Sequence, residues 1–160
     1  MAIKRHIPNF ITLLNLVSGC IAIIFIFDGN LPLASYLIFI AAVFDFLDGM
    51  AARVLKVKSD IGKELDSLAD IISFGLAPGF ILMKLLESSS GVTNMNAGFT
   101  SVIPYLALLI PVFSALRLAK FNIDSRQTHN FIGLPTPANA ILIASLPLIM
   151  TQKTTLIGME

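Results

Sequence analysis

The sequence predicts an all-α fold, a polytopic integral membrane helical bundle with about five spans in this chain. Three observations predict it. The 160 residues are 56% hydrophobic and 13% charged, with a mean hydropathy of +0.84. Soluble domains carry about 45–50% apolar and about 25% charged residues, so too little charge remains to build a surface that faces water. Five apolar stretches approach the ~20 residues that a helix needs to cross about 30 Å of hydrocarbon. Most basic residues then fall on one side of those stretches, the asymmetry expected of a membrane topology. The same composition narrows the function classes. With 11 basic against 10 acidic residues, the chain lacks the basic excess of a nucleic-acid binder. Its single cysteine, Cys20, forms no internal disulfide and reads as a packing residue in an apolar run.

The first stretch, residues 10–27, follows Lys4, Arg5 and His6; its 18 apolar residues lack a convincing small-residue cleavage site, so it reads as a retained helix and not a signal peptide. Asp28-Gly29-Asn30 is a turn signal leading into the second stretch, residues 31–52. A basic loop over residues 53–63 precedes the third, residues 65–86. A polar, uncharged connection from Ser88-Ser89-Ser90-Gly91 to Gly98 precedes the fourth, residues 101–119. The fifth, residues 137–151, is short at 15 residues and contains Pro147. No repeat or linker interrupts the chain, which reads as a single membrane domain over residues 1–160.

A cytoplasmic N-terminus puts Lys4, Arg5, Arg53, Lys56, Lys58, Lys63, Arg117, Lys120 and Arg126 on one side, nine of the eleven basic residues, with only Lys84 and Lys153 elsewhere. The expectation is a multi-pass protein of the cell membrane with its acidic site facing the cytoplasm. His6 and His129 are too isolated for a metal motif and read as interfacial residues. Tyr36 and Tyr105 lie inside spans, as interface anchors or as core.

Charge inside such a chain needs a reason. Asp45 and Asp48 lie near the end of the second stretch and Asp66 and Asp70 at the start of the third. An aspartate at membrane depth costs roughly 2.5–3.5 kcal/mol. The spacings i, i+3 and i, i+4 put each pair on one helix face, and an antiparallel hairpin brings the pairs together. Carboxylates gathered this way repel unless cations lie between them, and hard oxygen ligands suit two divalent ions, Mg²⁺ or Mn²⁺. Gly49, Ala52 and Gly62 are small enough to let a helix or ligand approach the backbone. Arg53, one turn past Gly49, either offers a planar fork to phosphate oxygens or snorkels to headgroups. Asn9 and Thr12 either cap the first helix or face a nucleotide.

These residues spell out D-x2-D-G-x2-A-R-x8-G-x3-D-x3-D from Asp45 to Asp70, which resembles the signature of the CDP-alcohol phosphotransferases at every motif position. The resemblance implies a six-span membrane enzyme that displaces CMP from a CDP-linked donor. Only five spans are found, so it also implies a C-terminus truncated after Gly158-Met159-Glu160. Further segments resemble the branch that uses serine: residues 7–15, Ser67-Leu68-Ala69-Asp70 with Ser73-Phe74-Gly75 and Ala77-Pro78, residues 117–122, and residues 131–138. That branch implies CDP-diacylglycerol and L-serine as substrates, phosphatidylserine and CMP as products, and a homodimer among membrane lipids.

The resemblance further implies metal ligation by Asp45, Asp48, Asp66 and Asp70, with Asp70 as general base, and donor binding by Gly49, Arg53, Ser59, Gly62, Asn9 and Thr12. Serine carries a free carboxylate, which needs a cation. Arg117 is the candidate, with Asn122 as a second donor, though Arg117 also reads as a marker of the membrane boundary, and Lys120 reads as a headgroup contact. The rival readings are a sister enzyme making phosphatidylglycerophosphate or an inositol phospholipid, a divalent-cation or proton transporter, for which intramembrane acids are common, and a catalytically silent assembly subunit.

Overall fold

The computed structural model describes residues 2–57, 59–89, 100–123 and 134–157. The described residues contain helices and connections and no strand. Helix α1 covers Ala2–Phe27 and α2 covers Leu31–Val54. The third rod begins as α3, Asp60–Asp70, widens into a π-helical segment, Ile71–Leu76, and continues as α4, Ala77–Glu87. The fourth begins as a 3₁₀ segment, Thr100–Leu108, and becomes α5, Leu109–Ile123. The last helix, α6, is Thr136–Ile157. Four of these rods are long and apolar enough to cross a membrane; the apolar part of α6, Thr136–Thr151, is shorter. The expected connections that include residues 90–99, and the expected roles of Lys58, Arg126 and His129, lie outside the described residues.

The turn between α1 and α2 follows from Asp28-Gly29-Asn30. Gly29 takes φ +80°, which costs glycine nothing. The Asn30 and Gly29 N–H groups bond the carbonyls of Phe25 (2.8 Å) and Ile26 (3.2 Å), a Schellman closure of α1. The Asn30 side chain then accepts from Leu33 N at 3.2 Å and caps α2. The same closure ends α2, with Val57 N bonding Ala52 O and Lys56 N bonding Arg53 O. Here Lys56, not glycine, holds the left-handed position at φ 52°.

The connection expected over residues 53–63 is therefore shorter than the sequence suggests. Arg53 still belongs to α2, and Ser59 caps α3 by accepting from Gly62 N at 3.3 Å, so Lys63 is already helical. Helix α1 likewise starts at Ala2 and carries Pro8 inside it. Asn9 and Thr12 are interior to that helix, and the capping reading for both is overturned.

The core is built from small residues at helix crossings. Ala22 and Ile26 of α1, Ala34, Ile38 and Ala41 of α2, Phe74, Ala77 and Ile81 of the third rod, and Ala140, Ile143 and Ala144 of α6 form one buried cluster. Alanine lets backbones approach closely, the usual way for helices to gain contact where lipid removes the hydrophobic drive. Gly75 and Gly79 make the groove for α5: a Cβ on Gly79 would lie 3.1 Å from Pro111 Cδ, and one on Gly75 3.4 Å from Pro111 Cα. The outward faces carry large apolar side chains such as Phe10, Ile24, Val43, Phe46 and Phe113. Tyr36 and Tyr105 are also exposed there, which removes the core reading for both, and Cys20 is exposed and not packed.

Candidate active site

Where α1, α2 and α3 meet, they enclose a cavity of about 460 Å³ lined by Asn9 and Thr12 from α1, Asp48, Gly49 and Ala52 from α2, and Ser59, Gly62, Lys63 and Asp66 from the start of α3, among others. Six expected donor-site and metal-site positions other than Gly62 thus meet in one concavity: Asn9, Thr12, Asp48, Gly49, Ser59 and Asp66. Gly62 joins them for a visible reason. A Cβ there would stand 2.8 Å from Asn9 Oδ1, so only glycine leaves the α1 side chain in place. At Gly49 a Cβ would meet nothing nearer than Arg53 Nη2, at 3.7 Å.

The acids converge as the hairpin geometry requires. Carboxylate oxygens of Asp45, Asp48 and Asp66 lie within 4.8 Å of one another. Thr12 Oγ1 stands 2.5 Å from Asp48 Oδ2 and donates to it, which ties α1 to α2. Asp66 Oδ1 is buried without a hydrogen-bond partner. A cluster of anionic oxygens, one of them enclosed and unpaired, fits a hard divalent cation. The fourth acid stands apart from this trio. Asp70 is 7% exposed and receives a hydrogen bond from Asn15 Nδ2 at 3.5 Å.

Arg53 does not line the cavity. It is exposed and folds back so that Nε donates to Gly49 O at 3.0 Å, which leaves its guanidinium beside Gly49 at the cavity's edge. Arg117 lines a second cavity of about 300 Å³ between α5 and α6, with Ser114, Thr136 and Asn139 as its other polar members. Its Nη1 donates to Thr136 Oγ1 at 2.6 Å. Asn122 lines neither cavity. Its Nδ2 donates to Ser67 Oγ at 2.9 Å, and its carbonyl accepts from Lys63 Nζ at 3.1 Å, so it braces α3 against the end of α5.

Sequence reasoning places Asn15 and Ser73 only within segments of family resemblance and gives neither a role. Ser73 Oγ donates to the Asn15 carbonyl at 3.1 Å, and a Cβ on Gly19 would lie 2.8 Å from Ser73 Cα. The backbones of α1 and the π-helical segment therefore nearly touch one turn beyond Asp70. The signal was Pro78, whose missing N–H and bulky ring disfavour a regular α turn just before it; Ala77 N bonds Ile72 O, five residues back.

The CDP-alcohol phosphatidyltransferase family matches residues 5–159 of this chain. Among curated proteins, the chain is 38% identical to the CDP-diacylglycerol–serine O-phosphatidyltransferase of Bacillus subtilis, over 83% of this chain and 70% of that protein. It is 37% identical to the protein of the same name from Methanocaldococcus jannaschii, over 86% and 58%. It is also 37% identical to the archaetidylserine synthase of Methanothermobacter thermautotrophicus, over 87% and 56%. The chain thus spans little more than half the length of the latter two. No solved structure matches it.

Proposed function

Because the chain belongs to the CDP-alcohol phosphatidyltransferase family, we propose that it transfers the phosphatidyl group of CDP-diacylglycerol to L-serine, giving phosphatidylserine and CMP. The observation that carries this reading is the meeting of Asp45, Asp48 and Asp66 at a cavity walled by Gly49, Gly62, Asn9 and Thr12. A nucleotide diphosphate needs such a place: small residues where its phosphates approach the backbone, polar side chains for the nucleoside, and acids for the cations it brings. The names of the serine-using relatives support serine as the acceptor.

In this reading Asp45, Asp48, Asp66 and Asp70 hold two divalent ions, Mg²⁺ or Mn²⁺. When bound, these neutralise the pyrophosphate and stabilise the departing CMP. Asn9, Thr12, Gly49, Arg53, Ser59 and Gly62 hold the CDP portion. Asp70 takes the proton of the serine hydroxyl while that oxygen bonds to the phosphorus bearing diacylglycerol and the bond from that phosphorus to the CMP oxygen breaks. No covalent enzyme intermediate forms.

Arg117 is the residue for the serine carboxylate, and the packing register supports it. Asn122 meets Ser67 and Ser114 meets Gly75, so α5 runs antiparallel to the third rod with Arg117 about level with the residues just after Asp70. Asn122 serves this reading better as a brace for α3 than as a second carboxylate donor. The acids lie toward the end of α2 and the start of α3, which supports a site opening to one membrane face, the cytoplasmic one by the basic-residue bias; a transport path would need access from both faces. A homodimer is part of the proposal by family resemblance alone.

Release of labelled CMP from CDP-diacylglycerol on adding serine with Mn²⁺ or Mg²⁺ tests the reading, with Asp70→Asn as the control that loses turnover. Release with glycerol 3-phosphate and none with serine would sink it.

A further inference from the structure

The proposed reaction gives Lys63 no task, yet this residue stands in the wall of the larger cavity. Helix α3 turns one face to that cavity. Ser59, Gly62, Lys63 and Asp66 all line it, in the i, i+3, i+4, i+7 order of a single helix face. Lys63 is the one cation among the described residues of the wall, which also carries the carboxylates of Asp48, Asp60 and Asp66. Asp60 and Asp66 stand three residues to either side, a spacing that permits an ion pair. Neither takes it: among the described residues the ion pair formed is that of Lys84 with Glu87. Lys63 Nζ instead donates to the Asn122 carbonyl at 3.1 Å, in the last turn of α5, where the helix dipole favours a cation. That bond uses one of the three N–H groups of an ammonium. Lys63 is exposed, so a ligand in the cavity can reach the other two.

We propose that Lys63 Nζ binds the diphosphate of the CDP-linked donor while it keeps the Asn122 carbonyl, so that Lys63 is a further donor-binding residue. The inference rests on the donor reading above and is independent of which alcohol accepts. A diphosphate esterified at both ends carries two negative charges at neutral pH. Two divalent ions match the four carboxylates of the proposed metal site and leave the charge of the diphosphate to the cations of the protein. Arg53 lies at the cavity's edge, folded onto Gly49 O. From the α3 side the cation at hand is Lys63. Its flexible four-carbon stem lets the ammonium follow a phosphate oxygen while the backbone stays in place.

The test is equilibrium displacement of labelled CDP from the detergent-solubilised protein in the presence of Mn²⁺, which gives dissociation constants for CDP and for cytidine. Cytidine keeps the base and the ribose and lacks the phosphates. In Lys63→Met the preference for CDP over cytidine is expected to fall about tenfold, the low end for a hydrogen bond to a charged group because the residue is exposed. Loosening of the contact between α3 and α5 affects both ligands and cancels in that ratio; loss of the phosphate contact does not cancel. Ser67→Ala checks this, because it removes the acceptor of Asn122 Nδ2 and leaves the cation, and its ratio should match the wild type. An unchanged ratio in Lys63→Met overturns the inference. So does an equal fall in Ser67→Ala, which would make the helix contact and not the ammonium the source of the preference. A fall accompanied by weaker Mn²⁺ binding in electron paramagnetic resonance also overturns it, since removing a cation should not weaken a metal site. If Lys63→Met does not fold, Lys63→Gln, neutral and still a donor to a carbonyl, takes the same measurement. Failure of the wild-type protein to bind CDP at all would bring down the donor reading; CDP binding with an unmoved ratio brings down only this inference.

Discussion

Replacing Gly19 with alanine probes the crossing that sets the acids in place. The added Cβ would fall 2.8 Å from Ser73 Cα, and because that neighbour is backbone, no side-chain rotation relieves it. The helices must part by several tenths of an ångström. Overpacking of this kind costs about 1–3 kcal/mol, against which alanine returns about 1 kcal/mol of helix propensity, leaving a net loss of up to about 2 kcal/mol. The functional effect is larger than the loss of stability. Asn15 already reaches Asp70 at 3.5 Å, so any separation of α1 from the π-helical segment breaks that bond. We expect a lower midpoint for thermal unfolding in detergent and a fall in CMP release of at least about tenfold, since the bond engages a charged group. Gly49→Ala is the matched control, because its Cβ meets only Arg53 Nη2 at 3.7 Å and its unfolding midpoint should hold or rise. If Gly19→Ala unfolds at the same midpoint as Gly49→Ala and keeps full activity, the close crossing does not position the acids.

Other expectations follow from the same geometry. Thr12→Val removes the donor to Asp48; loss of a hydrogen bond to a charged group, about 1.5–3 kcal/mol, should raise the KM for CDP-diacylglycerol about 10- to 100-fold. Asp66→Asn should weaken Mn²⁺ binding by more than about tenfold, read by electron paramagnetic resonance. Chelation should abolish turnover, and Mn²⁺ or Mg²⁺ should restore it; turnover that survives exhaustive chelation refutes the metal assignment. Arg117→Lys keeps the charge and loses the planar fork, so the serine KM should rise sharply while donor binding holds, and unchanged values would leave Arg117 a boundary residue.

Much of this molecule is legible in the sequence because membrane physics leaves few options. Long apolar runs must be helices, and acids inside them must share a face and a partner, which is why Asp45, Asp48 and Asp66 stand together as their spacing requires. The sequence is least informative where one backbone meets another. Asn15 enters the sequence reading only as the end of the segment 7–15, and only the approach of Ser73 across Gly19 shows that it faces Asp70. Asn122 reads as a ligand for substrate because it follows Arg117, yet helical rotation turns it toward Ser67. Asn9 and Thr12 suggest a cap because apolar residues begin near them, whereas the helix extends through the polar Lys4, Arg5 and His6 back to Ala2.

The lining of the larger cavity comes entirely from residues between Pro8 and Asp66, whereas Arg117 and Thr136 lie in the second half of the chain. Synthesis proceeds from the N-terminus, and contacts between neighbouring segments form soonest. In the proposed reading, the pocket for the nucleotide-linked substrate can therefore assemble while α5 and α6 have yet to enter the bilayer. On that reading the first half of the chain holds the donor, and Arg117, in the second half, meets the acceptor.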